Sequence, residues 1–246
     1  MPMNLFRLAA AAAEATDADL LNRYISQRDE AAFAELVRRH GPFVGRVCRR
    51  IVGDSAADDA FQATFLVLAC RARSVRNAAS VGSWLIGVAG RVSRQMRKRN
   101  RRTECTESPN LDYIADPKDQ ENKDHAELNE CAAILDIELT RLPERLRDPV
   151  VLCLVQGKTQ EQAALELGGS ARTIRRRLDR AKAVLRARLE RRGIVPTMAL
   201  GLISGIHAPT QAVPNVLAQR TVRGVFDFLS GGASTPAVIL AKGIVM

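Results

Sequence analysis

Helix boundaries within residues 143–192 leave little choice of fold for that part of the chain. Thr159 with Gln162 three residues later forms a capping box that opens a short helix, and Gly168-Gly169 ends it. Ser170 then caps a longer helix whose apolar residues recur every three or four positions. These residues are Ile174, Leu178, Ala181, Leu185 and Leu189. A short capped helix, a glycine turn and a longer amphipathic helix predict a helix-turn-helix.

The polar face of the longer helix is strongly basic. Four arginines lie away from the apolar stripe, and Thr173 and Arg177 border it. The four are Arg172, Arg175, Arg176 and Arg180. Arginine contacts guanine bidentately in the major groove or pairs with a phosphate. A solvated basic helix is the alternative, but charges clustered in the first half of a capped second helix favour DNA contact.

Residues 20–102 show only helical periodicity. Apolar stripes flank Gly41-Pro42, where we expect a helix to break, and Ser55 with Asp58 predicts a capping box that opens the next helix. A polar loop follows from Arg71 to Ser80. A long helix then begins near Val81 and directs its apolar residues inward, namely Trp84, Leu85, Val88, Val92 and Met96. The fold class is all-α, with two small helical domains.

A reversal of charge separates the two domains. Residues 91–102 hold seven bases and no acid, whereas residues 103–130 hold nine acids and only two lysines. The acidic stretch has no sustained apolar period, which is typical of a linker that is helical only near its end. Its acids keep the linker extended and soluble, which requires no partner.

Composition restricts the class of partner. The net charge is +10 at pH 7, and 46% hydrophobic residues supply real cores, which excludes a wholly disordered basic protein. The positive excess favours a polyanionic partner, either nucleic acid or an anionic membrane surface.

Cysteine and histidine usage predicts no disulfide framework, metal site or cofactor. The five cysteines form no C-x-x-C pair, and the three histidines lack partners at ligand spacing. Dispersed thiols fit a reducing cytoplasm, and the alanine run after Arg7 is too brief for a signal peptide. No paired carboxylates with a positioned histidine, nucleophile motif or phosphate loop is present, so we expect no enzyme.

The last 54 residues are the least informative part of the sequence. Residues 193–219 contain no Lys, Arg, Asp or Glu, and their length invites a membrane interpretation. Pro196, Pro209 and Pro214 argue against a spanning helix, so membrane association is disfavoured, though it stays open. Two short amphipathic or hairpin-forming segments fit better. They indicate an autoregulatory or partner-binding tail, with a poorly ordered tail as the alternative.

Several segments resemble a bacterial sigma factor of the sigma-70 family, extracytoplasmic-function (ECF) subfamily. Residues 142–147, 157–164 and 173–182 are similar to the family's C-terminal DNA-reading domain. Asp59-Ala60-Phe61-Gln62-Ala63-Thr64-Phe65-Leu66 resembles its polymerase-binding helix, and Trp84-Leu85-Ile86-Gly87-Val88-Ala89 resembles the start of its promoter-element helix. Two domains that match in the family's order are a more specific signal than a helix-turn-helix alone.

The resemblance implies a division of the chain into five parts. They are an N-terminal segment (1–19), a region 2-like helical domain (20–102), an acidic linker (103–138), a region 4-like helix-turn-helix domain (139–192) and a C-terminal extension (193–246). It also implies the partners, which are core RNA polymerase, promoter DNA and, as is common in the family, an anti-sigma factor.

The family's site residues can be assigned to positions of this sequence. The resemblance implies that the −35 element is read by Arg172, Thr173, Arg175 and Arg176, helped on the DNA backbone by Arg177 and Arg180. It implies that the melted −10 element meets Arg71, Arg73, Arg76, Asn77, Ser80, Trp84, Arg91 and Arg94, although a lone Trp on an apolar face is more often part of the core. It implies core polymerase contacts at Asp58, Asp59, Gln62, Phe65 and Leu66, while Ala63 stands where the family commonly has an acid. The alternatives are a helix-dipole role for Asp58 and Asp59 and burial of Phe65.

Two functions from different classes follow from these observations. The first is a promoter-specificity subunit that acts by binding RNA polymerase and opening the −10 element. The second is a polymerase-independent helix-turn-helix regulator with an all-α sensor domain. The resemblance to a polymerase-binding helix favours the first, since a stand-alone regulator has no use for one.

Overall fold

The computed structural model describes residues 15–104, 120–204 and 213–232, together with residues 237, 240 and 241. All regular structure in these residues is helical. Most of the N-terminal segment, residues 105–119 of the acidic linker, and the tail around His207 and Pro209 lie outside the described residues.

The first domain is built around one long helix. Its helices are α1 (Asp17–Gln27), α2 (Glu30–Val52), α3 (Asp54–Arg71) and α4 (Val81–Glu104), with 3₁₀ turns at Ala72–Ser74 and Ala78–Ser80. Helix α2 packs against α1, α3 and α4. The ring centroids of Phe61 and Phe65 are 4.9 Å apart, and Phe33 meets Phe65 edge-on, so an aromatic cluster forms the centre of the core.

Helix α2 runs unbroken through Gly41-Pro42, so the expected break there is wrong. The apolar stripes on the two sides of Pro42 lie on one face, and a continuous helix buries both of them. A proline inside a helix costs on the order of 3 kcal/mol. Burial of Leu36, Val37, Val44 and Val47, each at most 1% exposed, offsets that cost.

The capping box expected at Ser55 is also wrong. Helix α3 begins one residue earlier, at Asp54, and no side chain caps it. Gly53 is the single residue between α2 and α3 and has a φ of 81°, a conformation that favours glycine. The turn therefore depends on backbone freedom at Gly53 rather than on a side-chain cap.

The second domain contains the helix-turn-helix that the sequence predicts. Helix α5 spans Gln120–Thr140 and α6 spans Glu144–Val150, which a π-helical turn continues over Val151–Val155. Helices α7 (Gln160–Leu167) and α8 (Ala171–Glu190) follow, and the Thr159–Gln162 capping box and the Ser170 cap are both present. The five apolar residues predicted to face inward on α8 are all buried.

Helix α5 joins the two domains. It is helical from Gln120, earlier than the sequence indicated, and it packs against α2, α4 and α8. Buried Asp136 pairs with Arg50 of α2 at 3.0 Å, and buried Glu138 pairs with Arg192 beyond α8 at 2.6 Å. The end of the predicted linker is therefore a structural element that touches both domains.

The tail contributes two further helices. Helix α9 (Pro196–Ser204) packs on α8 and α5, whereas α10 (Asn215–Leu229) packs on α2 and α3 of the first domain. Within the part of the chain that the structure describes, no helix is both long and apolar enough to cross a membrane.

Candidate nucleic-acid interfaces

Helix α8 presents a continuous row of arginines to solvent. Arg172, Arg175, Arg176 and Arg180 are exposed, and Thr173 and Arg177 are half-buried at the border of the apolar stripe. None of the four exposed guanidinium groups forms an ion pair with an acidic residue in the described part of the chain. The row is therefore an uncompensated positive surface on a rigid helix, and its width suits the major groove of DNA.

Local contacts fix the orientation of α8. The Ser170 hydroxyl accepts a hydrogen bond from the Thr173 backbone N–H at 3.2 Å, and Gly168 ends α7 with a φ of 65°. Buried Ala163 and Ala164 let α7 cross α8 closely. Lys158 Nζ also pairs with Glu166 at 2.6 Å, which ties the start of α7 to its last turn. Sequence reasoning missed this ion pair because the two residues are eight positions apart.

A second basic surface lies in the first domain, between α3 and α4. A cavity of about 650 Å³ is lined by Val67, Arg71, Ser74, Trp84, Arg91, Arg94 and Gln95. The structure thus brings together four residues predicted for the −10 element, namely Arg71, Trp84, Arg91 and Arg94. Trp84 is half-buried, so the expectation that it belongs to the core holds for part of its ring only.

The arginines of this cavity repel one another. Partial burial and the neighbouring charge of Arg71 lower the pKa of Arg91. Burial, together with the charges of Arg141 and Arg91, lowers the pKa of Arg94, whose Nη1 donates to the Thr140 hydroxyl at 2.6 Å. A bound phosphate would relieve this repulsion, which favours an anionic ligand such as a nucleic-acid strand.

Other residues predicted for the −10 element do not join the cavity. Arg73 and Arg76 are exposed on the loop outside it. The Asn77 side chain accepts from the Ala79 N–H at 3.0 Å, and its amide donates to the Glu166 carbonyl of α7 at 3.4 Å. Ser80, predicted to contact DNA, is only 2% exposed, because the 3₁₀ turn before α4 directs it into the protein.

The predicted polymerase face of α3 is only partly on the surface. Asp58 is exposed, and Asp59 and Gln62 are half-buried. Phe65 and Leu66, at 0% and 3% exposed, lie in the core, so they offer no contact surface in this conformation. Ala63 is fully buried as well.

Comparison with known protein families identifies the two helical domains. The model of Sigma-70 region 2 matches residues 36–103, and the model of Sigma-70, region 4 matches residues 133–185. The chain belongs to the sigma-70 family. Helices α2 to α4 thus form its region 2, and the helix-turn-helix lies in its region 4.

Two characterised sigma factors are similar to this family member. RNA polymerase sigma factor NccH of Alcaligenes xylosoxydans xylosoxydans is 28% identical over 177 residues, which cover 70% of this chain and 94% of NccH. ECF RNA polymerase sigma factor SigE of Mycolicibacterium smegmatis is 31% identical over 165 residues, which cover 64% of this chain and 63% of SigE.

Regions 2 and 4 of this sigma-70 family member pack directly together. Arg147 of α6 is buried, its Nε donates to the Ser83 hydroxyl of α4 at 3.2 Å, and burial lowers its pKa. A Cβ added at Gly87 would lie 2.8 Å from the Arg147 guanidinium, and one at Gly90 only 2.3 Å from Thr140. Glycines spaced along α4 were the available sequence signal for this interface, but nothing in the sequence named their partners.

The described residues contain no group of three or more His, Cys, Asp or Glu side chains that could hold a metal ion.

Proposed function

We propose that this chain binds core RNA polymerase and directs it to specific promoters, where it recognises the −35 element as duplex and the −10 element as a melted strand. One observation carries the proposal. The chain carries two basic surfaces, in the order of the family's domains. The basic cavity between α3 and α4 of region 2 comes first, and the exposed arginine row of α8 comes second. The chain acts by binding and release, and its family is not an enzyme class.

Recognition of the −35 element is assigned to α8. Arg172, Arg175 and Arg176 lie in its first two turns, the part of a recognition helix that enters the major groove. A guanidinium group that contacts O6 and N7 of a guanine supplies sequence discrimination, whereas contacts to phosphates supply affinity and register. Arg177 and Arg180 are assigned to the backbone.

Recognition of the −10 element is assigned to the cavity between α3 and α4. An unstacked base needs an aromatic or guanidinium plane on which to stack, and the half-buried Trp84 ring offers one at the cavity wall. Arg71, Arg91 and Arg94 are placed to contact the phosphates that flank that base. Arg73 and Arg76 extend this positive surface along the loop.

Polymerase contact is assigned to the exposed part of α3. Asp58 and Asp59 are adjacent on one turn, Gln62 lies one turn further on, and all three are at least partly accessible. Their charge and hydrogen-bonding capacity suit a basic or polar partner helix. An anti-sigma factor is a further proposed partner, because one protein that covered both basic surfaces would block promoter binding.

Reconstituted transcription tests the proposal. Purified chain is added to core RNA polymerase of its own organism on the promoter upstream of its own gene, beside templates with an altered −35 or −10 element. We expect initiation that requires the chain and both elements. Duplex binding without initiation and without co-purification with core would instead identify a polymerase-independent regulator.

A further inference from the structure

Helix α10 covers the two helices of region 2 that border the proposed polymerase contact. It packs on α2 and α3, and its buried face consists of Leu217, Thr221, Val222 and Val225. Val225 and Thr221 are each 2% exposed, as low as core residues. Its opposite face is polar and exposed, with Arg220, Arg223 and Asp227. The helix is therefore amphipathic and docked by its apolar side.

An aromatic contact anchors the end of α10. The Phe226 ring meets Phe33 of α2 edge-on at a centroid distance of 6.0 Å, and it meets Tyr24 of α1 at 6.3 Å. Phe33 and Tyr24 are fully buried residues of the region 2 core. The tail thus extends the core of another domain and shares its aromatic cluster.

Region 2 has a notch that receives Val213, two residues before the start of α10. A Cβ added at Gly41 of α2 would lie 3.1 Å from Val213 Cγ2, and one added at Gly45 would lie 3.9 Å from the same atom. Two glycines one helical turn apart therefore leave space on α2 where Val213 fits.

Tail residues at the beginning of α10 reach the proposed polymerase contact. A cleft at the α2–α3 surface is lined by Asp58 and Phe61 of α3 and, on the tail side, by Val213, Pro214 and Leu217. A partner helix that packed on α3 around Asp58 would meet these tail residues.

We propose that α10 is an intramolecular cover that competes with core RNA polymerase for the α2–α3 face of region 2. The inference rests on the proposed function, because it gives the tail a role in regulating that polymerase contact. Polymerase binding then requires release of α10, and a chain with a released tail binds polymerase more tightly.

Binding of the full-length chain to purified core RNA polymerase tests this inference. Val225→Glu places a charge in the buried face of α10, and Arg223→Glu adds the same carboxylate to its exposed face as the matched control. Loss of the burial of one valine weakens the docking of α10 on region 2 by on the order of tenfold in its equilibrium constant. We expect Val225→Glu to tighten binding to core about tenfold and Arg223→Glu to leave it within about twofold of the unchanged chain.

A reversible cross-link supplies the opposite perturbation. In the double variant Gly41→Cys with Val213→Cys, the new Cβ at position 41 would lie 3.1 Å from the place of Val213 Cγ2, which the second thiol can occupy, so a disulfide can form after a small adjustment. We expect the oxidised variant to lose core binding and reduction to restore it. Gly41→Cys alone controls for the substitution and for the native cysteines, and circular dichroism verifies that each variant is folded.

The outcomes separate the two ideas. If the folded Val225→Glu variant and the unchanged chain bind core equally, and the oxidised cross-linked variant binds too, the cover is overturned while the proposed function stands. If no form of the chain binds core, the proposed function is overturned and the inference with it.

Discussion

At the scale of single residues, Arg176 distinguishes base recognition from phosphate contact on α8. It is exposed and forms no ion pair with a described acidic residue, so Arg176→Ala removes the proposed DNA contact without disturbing the fold. If Arg176 reads a guanine, we expect a loss of about 1–3 kcal/mol of binding free energy and relaxed specificity at one position of the −35 element. Anisotropy with labelled duplexes, one base pair altered at a time, measures both quantities.

Arg223→Ala is the control for charge, since that arginine is exposed on α10, far along the chain from α8. A loss for Arg176→Ala that is equal on every duplex, with a lower salt dependence, would place this arginine on a phosphate instead.

Asp17 gives the fold a measurable dependence on pH. Its carboxylate lies 2.8 Å from His40 Nε2 and 3.1 Å from Arg39 Nη1. Burial alone would raise its pKa, but these contacts outweigh burial and lower the pKa from 3.8 to about 2. A depressed carboxyl pKa stabilises the folded state above the unfolded value, so about 2 kcal/mol is lost as the pH falls from about 4 to about 2.

Urea unfolding of the unchanged chain and Asp17→Asn, at pH 5.5 and at pH 2.5, measures that contribution. We expect Asp17→Asn to be the less stable form at pH 5.5 and the gap to shrink at pH 2.5, because the carboxyl of the unfolded chain is then largely protonated and folding must release that proton. A gap that is the same at both pH values would contradict the assignment.

At the scale of elements, the interface between α4 and α5 depends on the absence of a side chain at Gly90. A Cβ at this position would lie 2.3 Å from the Cβ of Thr140. Because the Thr140 side chain is short and buried, α4 and α5 must move apart. Overpacking of this kind costs about 1–3 kcal/mol. We expect Gly90→Ala to lower the free energy of unfolding, as measured by urea denaturation.

The same substitution at Gly224 is the control. Gly224 lies within α10 with nothing within 4 Å of an added Cβ, so the better helix propensity of alanine should stabilise that helix by up to about 1 kcal/mol. If Gly90→Ala lowers the free energy of unfolding and Gly224→Ala raises it, the effect lies at the α4–α5 interface. A lower free energy of unfolding for both variants would contradict that location.

The elements also show how far the sequence predicts this molecule. Local signals sufficed for α7 and α8, where caps, a glycine turn and one apolar stripe agree, and they predicted the exposed arginine row. They failed at Pro42, where burial on both sides of the proline outweighs a local helix breaker. The family resemblance assigned contact roles to Phe65 and Ser80, and both side chains are buried in this structure, because a resemblance assigns roles by position and does not report burial.

At the scale of the whole molecule, the closed packing of regions 2 and 4 conflicts with simultaneous binding of both promoter elements. The −35 and −10 elements are about 25 base pairs apart, which is about 85 Å along B-form DNA. A compact chain of this length has a radius of gyration of about 18 Å, and hence a diameter near 45 Å. The two basic surfaces can reach both elements only if the Arg147–Ser83 and Asn77–Glu166 contacts between the regions open.

Gly87→Leu tests this separation, because its side chain would occupy the place of the Arg147 guanidinium and push α6 away from α4. We expect small-angle X-ray scattering to show a larger radius of gyration for this variant than for Gly224→Leu, whose site is open. Initiation at low protein concentration should be as strong as that of the unchanged chain or stronger, because a larger fraction of molecules is already open. A folded, expanded Gly87→Leu chain that cannot initiate would instead mean that regions 2 and 4 stay packed together on the promoter.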